Sequence, residues 1–250
     1  DNLMLGGAGN VARNLSGLGA TTHFIGVVGN DIAGKNVTKL IGTISNSVPN
    51  LITDQTRRTS IKTRFIASGQ QMMRADDETV AAIEGSTKDR VLTLAKSALK
   101  DCAAMVLADY AKGVLTPEII QELITMAHEA NVPVVIDPQG LDYSRYQGAD
   151  LITPNRKELS DATAMPATSD DEIITAARKL ISDHYIKSVL ATRSGDGMSL
   201  IDATGFNTFS AEAREVFDVS GAGDTVAATI AASLAAGISL ADAVQLANTA

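Results

Sequence analysis

The 250 residues predict a doubly wound α/β fold on a mainly parallel sheet, with a small β lid inserted into it. Short apolar runs alternate with helical patterns along most of the chain, and strands that follow one another through helices pair parallel, because only a crossover reaches a parallel neighbour. The composition is 45% hydrophobic yet 4% aromatic with no Trp, so the core must be built from Ala, Val, Ile and Leu, as suits buried strands flanked by Ala-rich helices. One segment between two α/β stretches drops the alternation and reads as a β-hairpin.

In chain order, a Gly-rich run at residues 6–12 opens a helical stretch that reaches Gly19. Residues 22–28 form a short apolar strand closed by Gly29, Asn30 and Asp31, and a helical pattern with Ile32, Leu40 and Ile41 follows. Residues 59–67 and 70–74 read as two β-segments joined at Ser68-Gly69. Ile61, Thr63 and Phe65 face one side of the first segment, and Lys62 and Arg64 lead the other. The insertion at residues 55–76 is expected to be a lid rather than part of the main sheet. The alternation then resumes with a helix at 88–99, a strand at 103–108, a helix at 117–129 and a strand at 133–136. After Asp137-Pro138 come a strand at 151–152, helices at 156–162 and 170–183, and a strand at 188–192. No repeat, low-complexity tract or linker marks a second full domain, so residues 1–250 read as one domain.

A net charge of −8 argues against a nucleic-acid partner. Nothing approaches the roughly 18 consecutive apolar residues of a membrane span, and no basic stretch precedes an apolar one as in a secretion signal. The single cysteine, Cys102, offers neither an intramolecular disulfide nor a multi-cysteine zinc site. A cytoplasmic protein with no membrane partner is the expectation. His23, His128 and His184 lie far apart and show no metal-ligand spacing, while Met72 and Met73 suit packing within the hairpin or at a subunit contact.

The sharpest local pattern is Asp218-Val219-Ser220-Gly221-Ala222-Gly223-Asp224-Thr225, before an Ala-rich stretch at 226–236. Gly221 and Gly223 permit a tight turn at a helix start, where free N–H groups and the positive end of the dipole converge on an anion. Asp224 could there take a proton from an incoming hydroxyl while neighbouring amides stabilise charge on a transferred phosphoryl group. A plain N-cap and tight turn would use the same residue types. Near the start of the chain, Gly6-Gly7-Ala8-Gly9-Asn10 lets a ligand approach the backbone, and Asn10 offers a donor and an acceptor to a sugar hydroxyl; close packing of a helix on a strand is the alternative. After the strand at 151–152, Asn155 and Glu158 share a helical face and could organise magnesium-bound water near a triphosphate, or simply cap the helix.

Between Gln55 and Ala75 stand five cations, Arg57, Arg58, Lys62, Arg64 and Arg74, and no carboxylate. Such a lid would suit phosphate binding, although exposed edge strands also carry cations that guard against edge pairing. Lys112, Asp109 and Asp137 follow predicted strand ends, where open α/β sheets bind ligands; either carboxylate could instead cap the segment after it.

In this order the three motifs resemble those of the PfkB, or ribokinase-like, carbohydrate kinases: the N-terminal signature at residues 6–12, the Asn-x-x-Glu motif at Asn155 and Glu158, and the C-terminal signature at 218–224. Ser220 stands where Thr is usual and keeps the hydroxyl. Thr192-Arg193-Ser194-Gly195-Asp196-Gly197 is similar to the family's segment at the nucleotide phosphates, and the resemblance spans essentially the whole chain. It implies a ribokinase-like fold with ATP and Mg2+ as cofactors and room for a monovalent cation. Asp224 would be the base, Gly221, Ala222 and Gly223 the anion hole, and Glu158 a magnesium partner through water. Asn155, Thr192, Arg193, Gly195, Gly197 and Asn248 would lie at the nucleotide.

Within the family, residues 6–12, 61–65, 70–71, 74, 109–113, 137–140, 153–155 and 192–193 together resemble the branch that phosphorylates the anomeric hydroxyl of D-glycero-D-manno-heptose 7-phosphate in ADP-heptose and lipopolysaccharide core synthesis. Gly7, Asn10, Lys62, Arg64, Arg74, Asp109, Lys112 and Asp137 would then surround the sugar phosphate. Gln139 departs from the Lys common in that branch. Another sugar, sugar phosphate or nucleoside as acceptor, or a non-catalytic sensor on the same fold, are the competing expectations. The resemblance further implies a homodimer through the β lid and a fused nucleotidyltransferase domain in the native chain. Relatives carry a strand before the first signature and segments beyond Asn248, so a kinase domain truncated at both ends is expected.

Overall fold

The computed structural model describes residues 3–67, 70–211 and 221–249. The expected hairpin turn at Ser68-Gly69, and Asp218 and Ser220 of the second signature, lie outside the described residues. Helix α1 (Ala8–Gly17) leads into β1 (Thr22–Gly29), α2 (Ile32–Ile41) and β2 (Ser47–Asp54). The strands β1 and β2 pair parallel from Thr22 opposite Ser47 to Gly29 opposite Asp54, with α2 as the crossover. The lid is an antiparallel hairpin of β3 (Ile61–Ala67) and β4 (Gln70–Asp77), its register shifting between Phe65 and Ile66. Beyond it run α3 (Gly85–Ala98), β5 (Met105–Ala108), α4 (Pro117–Glu129), β6 (Val134–Asp137) and β7 (Leu151–Ile152). The chain continues through α5 (Arg156–Thr163), α6 (Asp170–His184), β8 (Ser188–Thr192), β9 (Met198–Asp202), β10 (Phe206–Phe209), α7 (Ala222–Ala235) and α8 (Leu240–Thr249).

The central sheet has the order β10-β9-β8-β7-β6-β5. Its four strands β5 to β8 are parallel, and β9 and β10 extend it antiparallel. Both faces are covered, as the doubly wound expectation requires. Alternate residues of one strand go to opposite layers. Val134 and Ile136 join a cluster with Val91 of α3, Ile120 of α4, Leu159 of α5 and Leu180 of α6. Val135 joins Val11 of α1, Ile230 of α7 and Val244 of α8 on the other face. Local signals set the helix starts. Thr116 accepts from the Ile119 amide ahead of Pro117, and Ser169 with Glu172 forms a capping box at α6.

The structure adds three strands that the apolar alternation does not reveal. Strand β2 carries Pro49 and Asn50 and pairs, among the described residues, only with β1, so the missing proline donor costs no ladder bond. Strand β9 follows directly on the turn around Gly197, and β10 is an exposed edge of mixed polarity with nothing to bury on its outer side. The strand at 22–28 also falls in the separate β1–β2 pair and not in the central sheet.

One carboxylate ties the lid to the body. Asp31 caps α2 by accepting from the Gly34 amide at 2.7 Å, and it also accepts from the Thr59 amide at 2.9 Å and the Thr59 hydroxyl at 2.8 Å. The Thr59 Oγ1 in turn accepts from the Gly29 amide at 2.8 Å, so the root of the hairpin is stitched to the β1–α2 turn. The Thr59 amide, foremost, holds the Asp31 carboxyl below the usual carboxylate range. Asp31→Ala removes a cap and two further bonds, and an expected loss of about 2 kcal/mol follows. Urea unfolding checks this, and an unchanged midpoint would contradict the role assigned to Asp31.

Candidate active site

The site lies where the carboxyl ends of the parallel strands meet the starts of α1 and α7. Strand β5 runs into Asp109 and Tyr110, β6 ends at Asp137, β7 leads to Asn155, and β8 ends at Thr192. The last two are joined directly: Asn155 bridges to Thr192, whose amide donates to the Pro154 carbonyl at 3.0 Å. Two segments expected at the nucleotide thus lie side by side.

Asp224 sits in the first turn of α7 and is buried. Gly221 is the N-cap in the left-handed region, φ 87°, and supplies no side chain to the helix amides. Among the described residues no capping side chain takes the first-turn N–H groups, which suits an anion there. Asn10 Nδ2 donates to Asp224 Oδ2 at 3.1 Å, and the Tyr110 hydroxyl donates to Asp224 Oδ1 at 2.5 Å. One turn along α1, Asn14 Nδ2 donates to Thr225 Oγ1 at 3.0 Å, so α1 clasps the first turn of α7 at two points. Gly7, φ 49°, makes room for this arrangement: a Cβ there would stand 2.9 Å from Tyr110 Cε2. Burial, and then the bond to Asp224, push the Tyr110 phenol far above its usual range, so it remains a donor.

Sequence reasoning put the Asn10 amide on a substrate hydroxyl, and the structure puts it on Asp224. It passed over Tyr110 altogether. The available signal was an aromatic residue with a polar tip directly after a strand end, beside Asp109. Asp109 takes the capping alternative. It is 3% exposed, and its oxygens accept from the Ala111 amide and the Tyr146 hydroxyl, both at 2.8 Å, with Arg145 at 3.4 Å. Asp137 is less engaged, with Thr153 Oγ1 at 3.4 Å. Burial first, and then the charges of Asp224 and Glu158, push its carboxyl up to about 7.

Asn155 and Glu158 form a capping box: Asn155 Oδ1 accepts from the Glu158 amide at 3.0 Å, and Glu158 Oε2 from the Asn155 amide at 2.8 Å. Burial raises the Glu158 carboxyl above its ordinary range. Arg193 points inward at 5% exposure, bound to Asp170 and to the Asp196 carbonyl, and its amide closes the turn onto the Gly197 carbonyl at 2.8 Å. Gly195 lies within that turn. Asn248 donates to the Ser210 carbonyl at 2.8 Å.

The lid is less basic in space than in sequence. The carboxylate-free window closes one residue before Asp76. Lys62 pairs with Asp76 at 2.8 Å and Glu78 at 3.5 Å, Arg74 with Asp76 at 2.9 Å, and Arg58 with Asp77 at 2.7 Å. Lys112 reaches Glu78 at 2.5 Å. Arg57 donates to the carbonyls of Thr79 and Lys112. Arg64 makes no ion pair among the described residues.

The model of the pfkB family carbohydrate kinases matches residues 2–250. A relative in Rhodospirillum rubrum, the bifunctional protein HldE, is 50% identical over 252 residues, covering 100% of this chain and 51% of its own. This chain thus spans about half the length of the relatives it matches. Escherichia coli phosphofructokinase-2 in complex with potassium superposes with a TM-score of 0.78 at 21% identity, over 96% of this chain and 77% of that one. Arabidopsis thaliana ribokinase complexed with ribose and ATP gives a TM-score of 0.73 at 21% identity, over 96% and 77%. At such identities the likeness shows the fold, which is ribokinase-like. No helix among the described residues is long and apolar enough to cross a membrane.

The Asp137 carboxyl has a consequence for stability. Its folded pKa lies above the unfolded one, so the folded protein retains a proton that the unfolded chain releases. The stability linked to that proton is fully present below the unfolded value and is lost as pH rises through about 7. Asp137→Asn should flatten the stability curve between these limits and raise stability at pH 8 by on the order of 2 kcal/mol. Thermal melts of the two proteins across this range check the outcome, and parallel curves would contradict it.

Proposed function

Because the chain belongs to the pfkB family of carbohydrate kinases, we propose that it transfers the γ-phosphoryl group of ATP in line to the anomeric hydroxyl of D-glycero-D-manno-heptose 7-phosphate. The product would be the 1,7-bisphosphate, for ADP-heptose and lipopolysaccharide core synthesis. The observation that carries this reading is the buried Asp224 carboxylate in the first turn of α7, whose amides take no side-chain cap among the described residues. The acceptor specificity rests on the resemblance of residues 61–65, 109–113 and 137–140 to the heptose branch, supported by 50% identity over the full chain to a bifunctional HldE protein.

In this mechanism Asp224 accepts the proton of the acceptor hydroxyl as its oxygen attacks phosphorus, and ADP leaves on the opposite side. The amides of Ala222 and Gly223, with Gly221 at the cap, stabilise the charge on the transferred group. Asn155, Thr192, Arg193, Gly195, Gly197 and Asn248 lie on the nucleotide side. Magnesium, when bound, neutralises triphosphate charge. Among the described residues no cluster of three or more His, Cys, Asp or Glu surrounds a metal position. The donor set fits an ion held by triphosphate oxygens and water, with Glu158 in its outer sphere. A monovalent cation is a further cofactor in this reading, in line with the potassium complex of phosphofructokinase-2.

Gly7, Asn10, Asp109, Asp137 and Lys112 border the acceptor side, and the lid at residues 55–76 supplies Lys62, Arg64 and Arg74 to the 7-phosphate. The exposed ion pairs that hold Lys62 and Arg74 are screened by water and weak, so a phosphate dianion can replace Asp76 at little cost. Ile61, Phe65 and Met73 lie exposed on one face of the hairpin, which supports a homodimer through the lid. The relatives' length, twice that of this chain, supports a second, nucleotidyltransferase domain.

Asp224→Asn should lower turnover by at least about a hundredfold while ATP binding measured by calorimetry stays within about twofold. Full turnover in that variant would sink the assignment. A coupled ADP-release assay over sugars and sugar phosphates should show heptose 7-phosphate as the preferred acceptor. A different preferred acceptor corrects the substrate, and inactivity on every acceptor leaves a sensor. Arg64→Gln should raise the KM for the sugar phosphate several-fold, about as expected for one lost charge-assisted bond, and leave that for ATP unchanged; equal changes in both would remove Arg64 from the phosphate site.

A further inference from the structure

Both oxygens of the Asp224 carboxylate are already engaged, Oδ2 by Asn10 and Oδ1 by Tyr110. Each carboxylate oxygen has two lone pairs, so neither contact excludes a third donor. Given Asp224 as the base of the proposed transfer, we infer that Tyr110 is a positioning residue for it, its phenol fixing the carboxylate's orientation while the acceptor hydroxyl delivers its proton. Tyr110 itself transfers nothing: the acceptor O–H bond breaks, its proton passes to Asp224, and the phenol keeps its own.

The arrangement is built rather than incidental. Tyr110 and Asp224 are 114 residues apart in sequence and meet through α1, whose start leaves room for the ring only because residue 7 is Gly at φ 49°. Any side chain there would strike the ring within about its first atom. Packing alone would be served equally well by Phe, so the hydroxyl is the part of Tyr110 that demands a function. A half-buried phenol still seeks an acceptor, and here the acceptor it has found is the carboxylate on which the proposed chemistry depends.

The ionisable surroundings of Asp224 are few among the described residues. Asp137 at the end of β6 is close enough for its charge to act on Tyr110, and its own carboxyl feels the charges of Asp224, Glu158 and Asp109. The packed strand β5 carries none before Asp109 and Tyr110. Helix α1 contributes the exposed Arg13, and α8 the exposed Asp242, which is bound to Ser239. Tyr110 and Asn10 are therefore the donors that counter the acidic neighbours.

The test is Tyr110→Phe in the full chain, which keeps the ring against Gly7. The kcat for phosphoryl transfer should fall by on the order of tenfold or more, with KM for ATP and sugar phosphate held within about twofold. An unchanged or increased kcat overturns the assignment, as does a loss carried by KM with kcat retained. A variant that melts at lower temperature yet retains kcat also overturns it, because Tyr110 would then serve packing alone. Asp224→Asn separates the two levels. An inactive Asp224→Asn with an unchanged kcat in Tyr110→Phe defeats only this inference, whereas a fully active Asp224→Asn defeats the functional reading beneath it.

Discussion

Burying one carboxylate at the start of a helix is the constraint around which this site is organised. A charge taken out of water is costly unless it is paired or hydrogen-bonded. Asp224 meets the condition with Asn10, Tyr110 and the positive end of α7. That requirement fixes α1 against α7 and the β5 loop against both. The helix itself is suited to the position. Its buried residues Ala227, Ala228 and Ala231 bring the backbone close to the sheet and to α8, so the first turn is held from several sides. A larger side chain at Ala228 would displace the axis, and with it the carboxylate and the anion-binding amides together.

The fold was legible in the sequence wherever burial imposed a pattern. Strands β5 to β8 are apolar because helices cover both their faces, and α4 and α6 announce their starts with Thr116-Pro117 and Ser169–Glu172. Strands β2 and β10 lie at edges, and their residues need not alternate; β9 is hidden by the turn residues before it. The position of Asp224 was legible for a similar reason, since a glycine turn before an Ala-rich helix encodes a helix start. What was not legible is where polar side chains point. Nothing local directs Arg193 towards Asp170, or Tyr110 towards a residue more than a hundred positions away. The lid shows the same limit. Its cations look unopposed over residues 55–75, but β4 continues to Asp77 and the cross-strand register returns Asp76 opposite Lys62.

Electrostatics at the site and on the lid obey different rules because their dielectric surroundings differ. Asp137, Asp224 and Glu158 crowd acidic groups into a buried region, and the least well bonded of them, Asp137, is the one pushed to about 7. A proton there relieves repulsion that would otherwise weigh on Asp224. On the lid the same kinds of charge meet in water, where Lys62 and Arg74 hold carboxylates loosely.

This contrast bears on the proposed function, in which an acidic chain of net charge −8 would accept two phosphorylated molecules. Lys62 and Arg74 sit on exposed pairs that, in this reading, a phosphate would displace easily, since it offers more charge and more acceptor atoms than the carboxylate it replaces. In the proposed function the reception on the nucleotide side would fall to backbone amides at the start of α7, where Gly221 provides no capping side chain. The deeply buried cation Arg193 belongs to neither class. Its bonds to Asp170 and Asp196 fix a turn, and breaking them to reach a ligand would leave a buried charge uncompensated. In the proposed function Arg193 would therefore act by shaping the Thr192–Gly197 segment, with any contact to the nucleotide made by backbone and the guanidinium left in place.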